Sequence, residues 1–447
     1  MASRHELLGA ADSAWWHMEA ETNQMVITAV MTFDRPLDVD RLRHVLQTKL
    51  LGFERFRQRV VEPRWGVAQP RWEDDPAFSL DHHFDLIELA PPAGRRELQE
   101  LVSLLMSQQL DYRHPPWEFH YVTNYTPGSA LVARLHHCIA DGLALIQVLL
   151  ALDDTPGNEW VPTWNGQLPA HLRAEAERTG IARAAPGKLL SLVRSGALGV
   201  AKAGELALRS FDPTTVLHGR LGREKRAAWS DAFHLEEIKQ AGRHAGATVN
   251  EVLASVVAGG LRGYLERRGH KPDGLFLRAV LPVNLRETTD VRSLGNKFGL
   301  MFLPLPVGLP DPLDRLRAMR EISERMKRSC EALVVYRLLQ IFGRATRPVL
   351  APVVELLGKK ASLVLTNVPG PRETVWFCGA QLCTLMAWVP QSGKLGLGIS
   401  ALSYDGKVQI GVATDAGLVP DPEAIVAATH DSLGALYERV RRTPAMR

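Results

Sequence analysis

Residues 136–142 of this 447-residue chain read His-His-Cys-Ile-Ala-Asp-Gly, and that heptad limits what the chain can fold into more than any other stretch. An apolar run, Ala130 to Leu135 broken only by Arg134, leads in, and an apolar helical pattern, Leu143 to Leu150, leads out. Run length and periodicity predict a buried strand that ends at the histidines and a helix that starts just after them. A neutral imidazole at such a strand end can take the proton of a hydroxyl or thiol that then attacks a carbonyl. Direct transfer of that kind needs no Ser or Cys nucleophile.

Within the heptad, the second histidine, His137, can present one ring nitrogen to an acceptor while the backbone holds the other and fixes the tautomer. Gly142 suits a tight strand-to-helix turn. Asp141 is expected to pin the loop through an arginine rather than to touch substrate, and Arg286, at a predicted strand end, is the candidate partner. Two blander readings stay open on the residues alone: histidines packed at a strand end, or metal ligation by His136, His137 and Asp141. Catalytic zinc wants three well-placed protein ligands, and no second spaced cluster supports a metal, so none is expected. A second pair, Asp81-His82-His83, lacks the downstream Asp-Gly and is expected to pack or face solvent. GxSxG, GxGxxG after a strand, GxxxxGK[ST], HExxH and CxxC patterns do not occur.

Length sets the scale of the fold, enough for two cores of about 100–200 residues each. At 46% hydrophobic and 23% charged residues the composition is that of an ordinary globular protein. A formal net charge of +4 gives no argument for nucleic acid, though it does not oppose an anionic ligand or membrane surface. Cys138, Cys330, Cys378 and Cys383 make no zinc pattern and suit a reduced setting. The opening Met1-Ala2-Ser3-Arg4-His5-Glu6 shows no signal peptide. The longest uncharged stretch, between Glu373 and Lys394, carries Gly379, Gln381, Pro390, Gln391 and Ser392 and reads as strand–turn–strand rather than a span of about 20 apolar residues. The expectation is a cytoplasmic protein.

Helical and strand patterns alternate in residues 1–152, with strands over Met25–Phe33 and Phe119–Tyr125 and helices over Asp40–Leu50 and Glu97–Gln108. Residues 153–228 shift in composition, opening with Pro156, Pro162 and Pro169. They continue into an amphipathic helix in which Lys188, Arg194, Lys202 and Arg209 lie among apolar residues; this is a long crossover connection. Residues 229–447 are mixed again. Helices are predicted at Thr248–Tyr264, Pro312–Glu331 and Asp421–Arg441, and strands at Leu275–Val283, Leu300–Pro306, Ser362–Asn367, Leu395–Ser403 and Lys407–Ala413. The two halves resemble each other in content, but the second has no such heptad.

The heptad, together with PPWE (115–118), TVNEVLA (248–254), LPVNLR (281–286), GNKFGLMFLPLP (295–306), TNVPGP (366–371) and LSYDGKVQIGVATDAGLVPDP (402–422), resembles the bifunctional wax ester synthase/diacylglycerol acyltransferase family. The motifs run in the family's order from about Leu8 to Leu436. Two positions depart from it: Pro-Leu-Trp is Pro-Pro-Trp here, and Asn-Asp is Asn250-Glu251. The resemblance implies a mixed α/β fold of two chloramphenicol-acetyltransferase-like halves with the active site at their interface. It implies His137 as general base, His136 as its supporting neighbour, and Asp141 and Gly142 as the structural end of the motif. Asn250 would face the site from the second half, where an amide can donate to a thioester oxygen as charge develops, although a helix N-terminal position explains Asn250 equally. Asn367, Pro369, Gly370 and Pro371 would line the acyl-CoA side, or form no more than a turn.

The activity implied is transfer of a fatty acyl group from acyl-CoA, as co-substrate, to a long-chain alcohol or diacylglycerol, with no bound cofactor. The alternatives are a condensation-type enzyme with another hydroxyl or amine acceptor, and a non-catalytic lipid-binding relative. Lipid substrates and no spanning helix imply peripheral access from a membrane or lipid-droplet surface. Two segments suit it, Lys188–Phe211 and Ala332–Leu357, unless their apolar faces simply pack on the core.

Overall fold

The computed structural model describes residues 6–63, 69–142, 144–145, 148, 152, 204–205, 208–285, 295–329, 331–391 and 393–443. Arg286 and most of the predicted crossover, including Lys188, Arg194 and Lys202, lie outside the described residues.

In the first half the chain runs β1 (Glu6–Leu7), α1 (Ala10–Met18), β2 (Val26–Phe33), α2 (Val39–Thr48), β3 (Gln58–Val61), β4 (Arg71–Asp74), β5 (Phe84–Ile87), α3 (Arg95–Ser107), β6 (Trp117–Val122) and β7 (Ser129–His136). The second half continues with β8 (Lys225–Trp229), β9 (Phe233–His234), α4 (Leu235–Ala245), α5 (Val249–Arg267), β10 (Leu277–Asn284), β11 (Phe298–Leu305), α6 (Pro312–Lys327), α7 (Glu331–Phe342), α8 (Arg347–Gly358) and β12 (Leu363–Pro369). It closes with β13 (Trp376–Phe377), β14 (Ala380–Trp388), β15 (Leu397–Tyr404), β16 (Lys407–Asp415) and α9 (Pro422–Arg441).

Each half is built on one mixed sheet. The first has the order β13-β14-β2-β7-β6-β5, the second β11-β10-β12-β15-β16-β8 with β9 beside β16. β7, the strand that ends in the heptad, is buried along its whole length between β2 and β6. A central strand covered on both faces reads as a continuous apolar run, which is why the approach to the histidines shows so little alternation. Its one charge, Arg134, is 1% exposed and is neutralised by Glu118 at 2.8 Å.

The strand–turn–strand at 376–388 does what no local pattern announces: it crosses over and pairs with β2 of the first sheet, Trp388 opposite Thr28 through Thr384 opposite Thr32. The two sheets are thereby tied together at their junction. The helix predicted over Pro312–Glu331 ends at Lys327, and Glu331 begins a separate helix instead. Glu331 is buried, where it accepts from the Phe302 amide at 2.8 Å and pairs with Arg209 at 2.7 Å.

Candidate active site

The heptad turns at the junction of the two halves. Strand alternation sends its histidines to opposite sides, and two consecutive tryptophans of α1 meet them there. Trp15 stacks on His137 with centroids 4.2 Å apart and planes 15° from parallel. Trp16 meets His136 edge-on at 5.3 Å.

His136 is fully buried and braced. Its Nδ1 accepts the Cys138 backbone N–H at 3.1 Å and its Nε2 stands 3.5 Å from the Glu19 carboxylate. Both nitrogens face protein, so this ring has no route to a substrate proton.

His137 lines a cavity at the junction of the two halves. The other walls are mostly apolar, Trp15 from the first half and Phe298, Leu300, Val364 and Val389 from the second, with Asp141, Asn284, Thr366 and Asn367 as polar exceptions. Burial pushes the His137 ring down to about 4 from an ordinary 6.5, against the charge of Asp141, its own carbonyl and the Asn296 amide. The imidazole is therefore neutral at physiological pH, the state a base requires. Neighbouring Cys138 is buried and its thiol is pushed up by that burial, so no thiolate competes as nucleophile.

Asp141 caps the helix that follows. Its Oδ1 accepts the Ala144 N–H at 3.0 Å and its Oδ2 the Lys297 N–H at 3.3 Å. The proposed partner Arg286 lies outside the described residues. Gly142 opens the helix and lines the cavity. Its backbone is not left-handed and a Cβ there would stand 3.7 Å from Val389, an ordinary contact. The turn itself does not demand glycine; the bare backbone instead enlarges the cavity.

From the second half, residues 295–297 clamp the heptad. Gly295 bridges to Ala140. The Asn296 Nδ2 donates to the His137 carbonyl at 2.8 Å and to the buried Asp12 carboxylate at 2.7 Å. The sequence pattern gives the GNKFG stretch no task and leaves Asp12 and Trp15 unmarked. Helix α1 is buried from Ala10 to Trp16, so it shows no amphipathic stripe that would have announced it.

Asn250 is the second residue of α5 and is exposed. It is not among the residues lining the cavity; its Oδ1 accepts from the Nδ2 of Asn367, which is. The departure at Glu251 has a clear structural use. Thr248 Oγ1 accepts the Glu251 N–H, Glu251 Oε2 accepts the Thr248 N–H at 2.8 Å, and Glu251 Oε1 pairs with Lys327 at 3.2 Å. This is a capping box with an added ion pair. Of the TNVPGP stretch, Thr366, Asn367 and Val368 line the cavity. Pro369, Gly370 and Pro371 are not among the lining residues, and a Cβ on Gly370 would fall 2.4 Å from the Ser403 carbonyl.

Among the described residues, no group of three or more His, Cys, Asp or Glu is arranged to hold a metal ion, and no helix is long and apolar enough to cross a membrane.

The sequence profile of the wax ester synthase/diacylglycerol acyltransferase catalytic domain matches residues 8–253, and that of the family's C-terminal domain matches residues 294–437. Among curated relatives, a probable diacylglycerol O-acyltransferase of Mycobacterium tuberculosis is 28% identical over 95% of this chain and 93% of its own. A putative diacylglycerol O-acyltransferase of the same organism is 26% identical over 97% and 90%. The structure of a wax ester synthase/diacylglycerol acyltransferase from Marinobacter aquaeolei VT8 superposes with a TM-score of 0.69 at 20% identity, covering 98% of this chain and 100% of that one. The starter condensation domain of rhizomide synthetase, solved with C8-CoA and Leu-SNAC, superposes with a TM-score of 0.60 at 13% identity over 99% and 95%. Both likenesses speak for the fold, two mixed halves around one junction.

Proposed function

The chain belongs to the wax ester synthase/diacylglycerol acyltransferase family and is an acyltransferase, and from that premise we propose that it moves a fatty acyl group from acyl-CoA to a long-chain alcohol or diacylglycerol with His137 as general base. The observation that carries the reading is a neutral imidazole stacked on Trp15 in the wall of an apolar cavity shared by both halves.

The chemistry follows from that placement. A ring nitrogen of His137 takes the acceptor's hydroxyl proton as the oxygen attacks the thioester carbon. The carbonyl π electrons move onto oxygen, giving a tetrahedral oxyanion. Its collapse re-forms the carbonyl, breaks the C–S bond and returns the proton from His137 to the departing CoA sulfur. The free enzyme's low affinity for the proton keeps the base available, and the charge of Asp141 supports the transient imidazolium. Apolar walls exclude water, which would otherwise compete as acceptor, and suit an alkyl chain. Asn250, held to Asn367 at the cavity's edge, is proposed to supply amide donation towards the thioester oxygen, a contact of the kind whose loss costs about 2.7–4 kcal/mol of barrier.

Access from a lipid surface is part of the same proposal. On α7 and α8, Val335, Leu338, Leu339 and Leu357 pack inward with Val280 and Val364, two residues of the cavity wall. Ile341, Val349 and Leu356 are 40–54% exposed on the outer side of the same helices. Of the other basic segment, Arg209 pairs with Glu331, which leaves it ill placed to attract anionic lipid.

The test is CoA release from palmitoyl-CoA with fatty alcohols, diacylglycerol and amines as acceptors. Release with hydroxyl acceptors and formation of the ester supports the reading. Release with amines alone would turn it towards the condensation-type chemistry to which the fold is also similar, and binding without release towards a lipid carrier.

A further inference from the structure

The Asp12–Asn296 pair is more elaborate than a domain contact requires. Asp12 comes from α1 of the first half and Asn296 from the second, and the two are 8% and 6% exposed. One carboxylate oxygen, Asp12 Oδ1, accepts both the Asn296 backbone N–H at 3.0 Å and its Nδ2 at 2.7 Å. The same Nδ2 reaches the carbonyl oxygen of His137 at 2.8 Å. With its amino group held twice, the Asn296 amide cannot flip without losing both bonds. Its Oδ1 is left buried and makes no hydrogen bond, and the Nδ1 of the adjacent His137 ring is likewise buried without one. Two such atoms left buried and unpaired are costly; the Asn296 side chain is among the groups that favour a charged His137 ring, which sets an acceptor beside it, and a hydrogen bond between the two would satisfy both. An amide oxygen can only accept, so the ring must then carry its proton on Nδ1.

We infer that Asp12 and Asn296 form a positioning latch across the two halves, in which Asp12 orients the Asn296 amide so that its Oδ1 accepts from His137 Nδ1–H and leaves Nε2 as the proton acceptor. The inference rests on His137 being the base. It adds that the competent tautomer depends on closure of the two halves, because neither half holds both members of the latch. The charged and titratable groups that act on the ring are Asp141 and His136 from the heptad; Asp12, which itself feels Arg55 and Asp141, reaches it through Asn296. Asn296 is the neutral acceptor among them.

The test is ¹⁵N NMR of histidine-labelled full-length protein, with the His137 signals identified by their loss in His137→Gln, read together with steady-state kinetics. Wild type is expected to show His137 protonated on Nδ1 and bare on Nε2; the opposite tautomer overturns the latch without recourse to any variant. Asn296→Ala should mix the tautomers and lower kcat by about 10²-fold, the scale of a misplaced catalytic group, with KM for palmitoyl-CoA within about twofold. The exchange Asp12→Asn with Asn296→Asp preserves the pair and sets a carboxylate against Nδ1–H. It should move the acid limb of kcat/KM upward by roughly one to three pH units, as an opposite charge close to the ring requires. A contact that only joins the halves would lower the melting temperature and leave tautomer, kcat and acid limb at their wild-type values. Undiminished CoA release by His137→Ala would overturn the general-base reading itself. Loss of release in His137→Ala beside wild-type behaviour of Asn296→Ala would overturn the latch alone.

Discussion

His83 and His137 share a local description. Each is the second histidine of a pair, each is at most 3% exposed, and burial pushes both rings below their ordinary value. Each stacks on a tryptophan, His83 on Trp117 at 4.3 Å and 17°, His137 on Trp15 at 4.2 Å and 15°. What separates them is what lies beyond the ring. His83 is closed in by Phe78 and Trp117, and its Nδ1 is hydrogen-bonded to the Trp117 carbonyl at 2.8 Å. His137 opens onto the cavity. A depressed pKa, an aromatic stack and a nearby carboxylate thus mark burial in both cases, Glu118 acting on His83 as Asp141 acts on His137; access to a cavity is what distinguishes a candidate base from a core histidine.

The sharpest way to break this comparison is to truncate both rings. His137→Ala should lower turnover by at least the ~10²–10⁴-fold typical of losing a general base. His83→Ala should lose stability, about 1–3 kcal/mol on the scale of a buried hydrogen-bonded group, and keep near wild-type kcat in the folded fraction. Equal losses of kcat would mean that both act through packing.

Asn250→Ala comes next. If Asn250 donates to the developing oxyanion, kcat falls by about 10²–10³-fold while KM for acyl-CoA changes little. A change confined to KM would reassign it to holding Asn367 and the cavity's edge. His136→Ala should reduce kcat less than His137→Ala, because its Nδ1 holds the Cys138 amide and its Nε2 faces Glu19 rather than the cavity. Denaturant titration should register that loss more clearly than turnover does.

Asp141→Ala should cost about 0.5–2 kcal/mol of stability through its cap on Ala144, along with part of the rate. If Arg286 is its partner, the Asp141→Ala/Arg286→Ala double variant should be no worse than the worse single one. Additive losses would dismiss that arginine.

The last comparison leaves turnover alone and reads a stability slope. A folded pKa near 4 against 6.5 unfolded means the unfolded chain binds the proton first as pH falls. His137 therefore leaves stability untouched above about pH 6.5 and removes about 3 kcal/mol between there and pH 4. His137→Gln should flatten that part of the curve; an unchanged slope would show that the ring is hydrated.

Much of this arrangement can be read in the sequence where the signal is local. The expected strand at Met25–Phe33 is found at Val26–Phe33, the expected helix at Thr248–Tyr264 runs Val249–Arg267, and the strand entering the heptad ends at His136. Periodicity, a capping threonine and a turn are all nearest-neighbour properties. The crossing of β14 into the first sheet leaves no local mark, because strand pairing is decided by a partner about 350 residues away in the chain. For the same reason Asp12 and Trp15 were invisible beside His137: α1 is buried around most of its circumference, and its polar residue answers to Asn296. The single break between α6 and α7 escaped because the charged pattern runs on through it, while buried Glu331 is fixed by Arg209 and the Phe302 amide, both distant in sequence.

The claim that a neutral His137 facing the cavity is the base is tested most directly by the pH dependence of kcat/KM for palmitoyl-CoA with a saturating alcohol acceptor. The account predicts a rate that holds from pH 8 to about 5 and falls along an acid limb with its midpoint near 4. An acid limb centred at the ordinary histidine value of 6.5, unmoved in His83→Ala, would contradict it, because the ring that takes the proton would then be exposed to water rather than buried beside Trp15.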